Sequence, residues 1–279
     1  MVDTDLSISI FGKKIKIYAI YKHRHMLFWG ALYILLLQVP RSSFKTICIS
    51  PGGLLGFYLW GTCSFIKDQY DLTEYRFVGA SAGAWNALLM TYNKDDHVSL
   101  TLDILNGMDG KQNIHNIESS IQETLRGRDA DFDLSRLNIG LTVIDHCIPR
   151  WKTVDTFTDL ADALDCCIGS SHIPWITGGW KKTYKNQSVL DGGLRYHAFV
   201  KKTNPVLHIT PTMWNANRDV SFLDTLCVSK TGNPGKTKKT KDAFFDLYLR
   251  GYQDALKNRA TLDSIFKPNR NHDLKSNHV

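Results

Sequence analysis

The chain has 279 residues, 43% of them hydrophobic, six cysteines and a formal net charge of +7 at pH 7. This size and composition predict one globular domain with a buried core. The cysteines are scattered without a C-x-x-C pair, which argues against a disulfide framework or a metal cluster. The lysines are not interleaved with aromatic residues as in nucleic-acid-binding modules, so the basic charge favours an anionic lipid surface as partner.

Residues 1–43 are predicted to form an N-terminal extension that contains a strongly apolar segment, residues 26–39. Basic and histidine residues precede the segment at 22–25. At about 14 residues it is shorter than the roughly 20 that a membrane-spanning helix needs. Three interpretations stay open: an anchor that dips into a membrane, a buried helix, or a cleaved signal peptide. The first two retain the segment in the mature protein.

A glycine-rich turn, residues 52–56 (GGLLG), follows a short run of β-branched residues at 46–50. The next residues, 55–68, have apolar positions at near-helical spacing, so the pattern predicts strand, turn and helix. Backbone N–H groups at such a junction are unpaired and converge on one point, where an anion binds. The Walker lysine and the G-x-G-x-x-G spacing of phosphate loops are both missing. An oxyanion of acyl transfer is the other anion that such a turn holds.

A second junction of the same kind contains the sequence G-x-S-x-G at residues 79–83. A predicted strand at 75–79 precedes it and a predicted helix at 82–92 follows it. This arrangement is typical of a nucleophile elbow, in which the chain reverses sharply and pushes the serine hydroxyl outward. A side chain at Gly79 or Gly83 would collide with the neighbouring strand or helix. The pattern therefore predicts that Ser81 is a nucleophile.

Further strands and helices alternate along the rest of the chain, which is typical of a mostly parallel sheet covered on both faces. The remaining predicted strands are 139–145, 188–191 and 205–210, and the remaining helices are 115–126, 157–167 and 240–258. Residues 91–110 are largely polar and are predicted to form a loop or lid. Residues 230–241 combine glycine, proline and lysines, and are predicted to form a mobile basic loop.

Asp191 lies at the end of the predicted strand 188–191 and precedes Gly192 and Gly193. An aspartate before two glycines is commonly part of a simple turn. The alternative is a catalytic carboxylate at a strand end. A serine hydroxyl needs a base within hydrogen-bond reach, and a partly desolvated carboxylate can fill that role because burial raises its pKa.

These three motifs, in this order, resemble the patatin-like phospholipase family. The resemblance covers roughly residues 44–210 and extends weakly to the helix predicted at 240–258. It implies a three-layer α/β/α sandwich with a mostly parallel central sheet, a catalytic domain at 44–260 and a polar C-terminal tail at 261–279. It also implies that Ser81 and Asp191 form a catalytic dyad without histidine. The implied oxyanion hole is formed by backbone N–H groups of Gly52, Gly53 and Leu54, and the motif glycines are Gly56, Gly79, Gly83, Gly192 and Gly193.

The glycine turn departs from the commonest family pattern at two places. Ser50 and Pro51 occupy its first positions, and Pro51 has no N–H to donate. Leu55 replaces the usual basic residue, which makes the turn more similar to that of the animal triglyceride-lipase branch. These departures affect the expected substrate more than the expected reaction.

The resemblance implies a lipid acyl hydrolase of the phospholipase A or acylglycerol lipase type, which cleaves carboxylic esters of glycerolipids without metal or cofactor. It is expected to be intracellular and attached to a membrane. One rival is an α/β-hydrolase esterase with a Ser-Asp-His triad that uses His197 or His208, which both follow Asp191. The other rival is a non-catalytic lipid-binding protein on the same fold. His172 is interpreted as a residue of the pocket wall or as a structural residue, and the oligomeric state is left open.

Overall fold

The computed structural model describes residues 6–10, 13–17, 44–108, 114–196, 200, 203–217 and 240–268. The chain divides into two compact units, Met1–Ser43 and Phe44–Val279. In the first unit, β1 (Leu6–Ile10) pairs with β2 (Lys13–Ile17) as an antiparallel hairpin. This hairpin was not predicted from the sequence. The apolar segment 26–39 lies outside the described residues.

The second unit contains a mixed, mostly parallel sheet of seven strands. The strands are β3 (Lys45–Ile49), β4 (Tyr75–Ala80), β5 (Leu137–Asp145), β6 (Ile148–Val154), β7 (Lys182–Tyr184), β8 (Gln187–Leu190) and β9 (Leu207–Ile209). Their order is β7-β8-β5-β4-β3-β9, and β6 also pairs with β5. The pairs β3–β4, β3–β9 and β4–β5 are parallel, whereas β6, β7 and β8 join by antiparallel pairing.

The pairing of β5 decides where the catalytic candidates meet. One edge of β5 pairs with β6 along residues 139–145. The other edge is shared: β4 pairs along 137–140 from one direction, and β8 pairs at 142–143 from the opposite direction. The carboxyl ends of β4 and β8 therefore approach each other on the same edge of β5. Ser81 follows β4 and Asp191 follows β8, so the topology brings them together.

Helices cover the sheet, which gives the α/β architecture of a three-layer α/β/α sandwich and confirms the predicted fold class. They are α1 (Gly56–Gln69), α2 (Ala82–Met90), α3 (His97–Gly107), α4 (Ile114–Leu125), α5 (Leu160–Ser170), α6 (Thr240–Lys257) and α7 (Arg259–Asp263). Strands β3 and β4 have buried side chains on both faces. Ile47 and Phe77 enter the large core, while Cys48 and Val78 enter a smaller cluster with Tyr196.

Helices α1 and α6 approach very closely, because glycines lie at their contact. A Cβ atom on Gly61 would lie 1.9 Å from the carbonyl oxygen of Tyr248, and one on Gly251 would lie 1.9 Å from that of Tyr58. The hydroxyl of Thr62 also donates to the Gly251 carbonyl, at 3.2 Å. This contact fixes α1, and with it the glycine turn from which α1 begins.

Two predictions about chain organisation were wrong. Residues 97–107, predicted as part of a polar loop or lid, form helix α3, because a stripe that includes Leu100, Ile104 and Leu105 is buried. The domain also continues beyond residue 260: Leu262 and Phe266 are 0% and 4% exposed and belong to the core, so this part is not a polar tail. Of the predicted basic loop, residues 230–239 lie outside the described residues, while Thr240 and Lys241 begin α6.

Across the part of the chain that the structure describes, none of the helices is both long and apolar enough to cross a bilayer.

Candidate active site

Ser81 occupies the turn between β4 and α2 in a strained backbone conformation. Its φ is 55° and its ψ is −128°, a region that residues other than glycine rarely adopt. Such strain costs on the order of 1–3 kcal/mol and persists only where the surrounding structure enforces it. The residue is 7% exposed and lines a cavity. The geometry is that of the nucleophile elbow predicted from the sequence.

Gly79 and Gly83 permit the turn because there is no room for a side chain at either position. A Cβ atom on Gly79 would lie 1.9 Å from the carbonyl oxygen of Gly83. A Cβ atom on Gly83 would lie 2.2 Å from the carbonyl oxygen of Ile49 and 2.6 Å from that of Ser50. Since real Cβ contacts are never this short, the elbow packs directly on its own helix and on the end of β3.

The glycine turn after β3 faces the same cavity with its backbone. Gly53 has φ = 52°, in the left-handed region that favours glycine. The N–H groups of Leu55 and Gly56 donate to carbonyls of the turn itself. Within the described residues, the N–H groups of Gly52, Gly53 and Leu54 make no backbone hydrogen bond, and all three residues line the cavity. These N–H groups are therefore free to bind an anion in the cavity, which is what an oxyanion hole requires.

Asp191 is held by its backbone and by one carboxylate oxygen. Its N–H donates to the carbonyl of His172 at 2.8 Å, and its carbonyl accepts from the Thr142 hydroxyl at 2.8 Å. Its Oδ1 accepts from the Gly193 N–H at 2.6 Å. A Cβ atom on Gly192 would lie 2.3 Å from the carbonyl oxygen of Gly140, so this turn also packs against β5.

The second carboxylate oxygen, Oδ2, is buried and forms no hydrogen bond that meets standard distance and angle limits within the described residues. The Ser81 hydroxyl is nevertheless close enough to lower the pKa of the carboxyl, as does the Gly193 N–H. Burial outweighs both and raises the pKa of Asp191 to about 6. Because catalytic hydrogen bonds often tighten only when substrate binds, this arrangement suits a base that takes the serine proton near neutral pH.

Three consecutive residues at the C-terminal end of α5 hold the site together. The Ser170 hydroxyl accepts from the Ser81 N–H at 2.9 Å and donates to the Gly140 carbonyl at 2.6 Å. The Ser171 hydroxyl contacts Glu118 on α4 and accepts from the indole N–H of Trp85 on α2, at 3.2 Å. The carbonyl of His172 accepts from Asp191, as above. One short segment therefore positions the nucleophile, the helix behind it and the acid.

Of the two histidines considered for a triad, one is described. His208 lies on β9, and its Nε2 is 2.9 Å from the Ser50 hydroxyl and 2.7 Å from the Tyr196 hydroxyl. His208 is partly buried and also lines the cavity that Ser81 faces. His197 lies outside the described residues. His172 lies in the cavity wall, as predicted, and is 4% exposed.

Ser81, Asp191 and the glycine turn line one cavity of about 680 Å³, a size typical of small-molecule sites. Its apolar lining includes Leu54, Phe57, Trp60, Trp85, Leu89, Ile117 and Ile121. Aromatic and aliphatic walls of this kind suit a hydrocarbon chain. In the described parts of the chain, no group of three or more histidine, cysteine or acidic residues is placed to hold a metal ion.

Comparison with known proteins gives no further identification: no protein-family model matches the chain, and no curated protein matches its sequence.

Four residues of the site were missed as participants by sequence reasoning: Asn86, Glu118, Ser170 and Ser171. Glu118 could have been noticed in the sequence, because it is an acidic residue on the apolar face of its helix. Its helix neighbours Ile117 and Ile121 are buried. Ser170 and Ser171 continue a helix whose preceding residues are apolar. Their role follows only from tertiary contacts.

Proposed function

We propose that this protein is a serine esterase that hydrolyses carboxylic esters of lipids through an acyl-enzyme on Ser81. The observation that carries the proposal is the strained Ser81 beside the buried Oδ2 atom of Asp191, at the wall of a largely apolar cavity. Backbone strain and a raised carboxyl pKa both cost stability, and proteins retain such costs mainly where function needs them.

In the proposed reaction, the Ser81 oxygen attacks the ester carbonyl while its proton passes to Asp191. The negative charge that develops on the carbonyl oxygen is stabilised by the N–H groups of Gly52, Gly53 and Leu54. The C–O bond to the leaving alcohol then breaks, and Asp191 returns the proton to that alcohol. A water molecule, deprotonated by Asp191, next attacks the acyl-enzyme and releases the carboxylic acid and Ser81.

The lipid character of the proposed substrate is supported by the cavity and by its surroundings. Ile173, Pro174, Thr177 and Leu194 line the cavity. Leu194 is itself 64% exposed. Three further apolar residues close to it in sequence or to the cavity lining are also exposed: Trp175 (74%), Ile176 (45%) and Trp180 (65%). The rings of Trp175 and Trp180 lie 4.6 Å apart. Because tryptophan is favoured at lipid–water interfaces, we propose that this surface contacts lipid and that the protein attaches peripherally to membranes.

The sequence resemblance to patatin-like phospholipases supports the same reaction, and we propose membership of that family on this basis. The Ser-Asp pair accounts for activation of the serine without a histidine. An intracellular location is proposed in addition, since the described cysteines are free thiols, with Cys63, Cys166 and Cys167 buried.

The experiment is incubation of the purified protein with a mixed lipid extract, followed by mass spectrometry of the products. We expect free fatty acids and the matching deacylated lipids with the wild type and none with Ser81→Ala. The folded state of both proteins is compared by circular dichroism. If folded wild type releases no acid, the protein is a lipid-binding protein on this fold and the proposal fails. If Ser81→Ala retains activity, another residue is the nucleophile.

A further inference from the structure

Helices α1 and α2 run side by side and in the same direction away from Ser81. At their start, a Cβ atom on Gly56 would lie 3.0 Å from the Cβ atom of Ala82. Toward their far ends, the Lys67 ammonium group donates to the Met90 carbonyl at 3.2 Å. The space between the two helices therefore leads from the catalytic candidates toward the C-terminal ends of both.

The first turns of both helices line the cavity of Ser81 with apolar side chains. On α1 these are Phe57 and Trp60, and on α2 they are Trp85 and Leu89. Spacings of three and four residues place each pair on one face of its helix. We call the part of the cavity between these four side chains the apolar channel. Its walls suit the hydrocarbon chain of an ester whose carbonyl lies at Ser81.

The apolar channel ends at Trp60 and Leu89, which are 7% and 9% exposed. Both residues also line a second cavity of about 10 Å³, which has room for about one water molecule. Farther along α1, the second cavity is lined by Cys63, Ser64 and Lys67, none of which is among the described residues that line the first. Trp60 and Leu89 therefore form a partition between the two cavities.

The surroundings also change at this partition. Ile117 and Ile121 of α4 line the first cavity, whereas His97 and Leu100 of α3 line the second. The wall of the second cavity further contains Lys67, a buried amine. A hydrocarbon chain offers no hydrogen bond to such groups, so both space and polarity end the channel here.

Trp60 is held in place by aromatic neighbours on both sides. Its ring packs edge-on against Tyr248 of α6, with 6.0 Å between the ring centroids, and it lies 6.4 Å from the ring of Phe57. The next residue, Gly61, is the one whose Cβ atom would lie 1.9 Å from the Tyr248 carbonyl oxygen. Since close packing resists displacement, Trp60 sets a definite end to the channel.

The depth of the channel can be compared with an acyl chain. A helical rise of about 1.5 Å per residue puts Leu89 about 12 Å beyond Ser81 along α2. An extended hydrocarbon chain is a zigzag of C–C bonds, and it advances roughly 1.3 Å per carbon. A chain that begins at Ser81 therefore reaches the partition after about nine carbons.

We propose that Trp60 and Leu89 determine the chain-length specificity of this site, and limit the acyl group of the substrate to about eight to ten carbons. This inference rests on the proposed esterase function and names the acyl chains that its site accepts. Each further CH₂ group that becomes buried raises affinity about fourfold. A chain that reaches the partition gains nothing more, and a longer one has to bend or leave carbons outside.

The test measures kcat/KM for p-nitrophenyl esters of straight-chain acids, from butanoate to hexadecanoate, in one non-ionic detergent. We expect the wild type to be most active near the decanoate and at least tenfold less active on the hexadecanoate. Trp60→Ala opens the partition, so its maximum should move by at least two carbons toward longer chains. Leu89→Ala opens it from the other side and should act in the same direction, which decides the matter if Trp60→Ala does not fold.

Leu88→Ala is the matched control for Leu89→Ala. It removes the same atoms from the neighbouring residue of α2, which is 0% exposed, belongs to the core and is not among the described residues that line either cavity. Its maximum should stay at the wild-type length. The inference is overturned if the wild type has no maximum in this series, if neither Trp60→Ala nor Leu89→Ala moves it, or if Leu88→Ala moves it as far.

A wild type that hydrolyses none of the esters refutes the esterase function, and the channel is then tested by binding alone. The probes are 1-alkanols from hexanol to tetradecanol, measured by titration calorimetry. Affinity should rise about fourfold per carbon until the channel is full and then stop rising. In Trp60→Ala and Leu89→Ala the rise should continue for at least two more carbons. Absence of alkanol binding, or the same limit in all three proteins, would overturn the inference.

Discussion

Two neighbouring parallel strands, β3 and β4, end in turns that lead into helices, yet the two turns present different chemistry. The turn after β4 projects one side chain, Ser81, from a strained backbone with φ = 55°. The turn after β3 contains Gly53 at φ = 52° and exposes backbone N–H groups. The same supersecondary unit therefore presents the proposed nucleophile in one case and the proposed oxyanion donors in the other.

The difference shows which constraint each role imposes. A nucleophile needs a side chain at the sharpest point of the turn, so the strain is accepted there and glycines lie at 79 and 83 on either side. An oxyanion donor needs no side chain, so glycine occupies the turn itself. Substitutions in the turn after β4 and in the turn after β3 should therefore differ in their effects on activity and on stability.

The largest effect is expected on replacing the strained serine. Ser81→Gly removes the nucleophile and relieves the strain, so activity should fall at least 10⁴-fold while the free energy of unfolding rises by about 1 kcal/mol. Ser81→Ala keeps the Cβ atom and should lose the activity without gaining the stability. Ester hydrolysis assays and urea denaturation of the two variants provide the measurement. Equal stability of the variants would show that the elbow is not strained.

Replacing a flanking glycine should affect the fold more than the chemistry. In Gly83→Ala, the new methyl group meets the Ile49 carbonyl oxygen at 2.2 Å, and backbone cannot move aside cheaply. We expect a loss of at least 3 kcal/mol in the free energy of unfolding. Gly127→Ala is the control, because no atom lies within 4 Å of its Cβ position, so it tests only the cost of φ = 78°. A Gly83→Ala protein as stable as this control would contradict the packing described.

The oxyanion turn should respond with a smaller change that is confined to catalysis. Gly53→Ala places a side chain at a left-handed position, which costs roughly 1–2 kcal/mol and shifts the turn. Loss of one well-placed donor typically lowers kcat by about 10²-fold. We therefore expect kcat to fall by about that factor, with labelling of Ser81 by a fluorophosphonate retained but slower. An unchanged kcat would mean that this turn does not hold the oxyanion.

The pH dependence of activity and of stability should both reflect the protonation of Asp191. We expect this effect to be the smallest of the four. In the proposed mechanism the carboxylate accepts the serine proton, so activity should rise tenfold per pH unit up to the Asp191 pKa of about 6 and then level off. The raised pKa also means that the folded state binds this proton more tightly than the unfolded state. The resulting stability is present below the unfolded pKa of 3.8 and is lost as pH rises through about 6. Asp191→Asn should abolish this contribution to the pH dependence of stability. The measurement compares Tm at pH 4 with Tm at pH 8 in the wild type and in the variant.

The main strands and helices of the second unit were predictable from periodicity, and the two turns from their glycines. Hairpins were harder to predict, because both β5–β6 and β7–β8 reverse through two-residue turns without glycine. His146 and Cys147, like Lys185 and Asn186, have positive φ. Strand β6 was further obscured by Pro149, which is tolerated because, among the described strands, β6 pairs with β5 alone.

Within the site, the sequence indicated the residues with a distinctive motif and missed those that act through contacts. Ser81 and Asp191 follow predicted strands, and the topology places both beside the same edge of β5. Nothing local marks Ser170, whose hydroxyl joins the Ser81 N–H to the Gly140 carbonyl across the sheet. Asn86 is likewise an ordinary polar residue in a helix, and only the structure shows that it lines the cavity and donates to the carbonyls of Gly56 and Ala82.

The central claim is that Asp191 activates Ser81 with no histidine between them. The most direct measurement is the rate of covalent labelling by a fluorophosphonate, with the modified peptide identified by mass spectrometry. We expect label on Ser81 in the wild type, a loss of at least 10³-fold in rate in Asp191→Asn, and rates within tenfold of wild type in His197→Ala and His208→Phe. Rapid labelling of Ser81 in folded Asp191→Asn, or its loss in either histidine variant with the fold intact, would contradict the account.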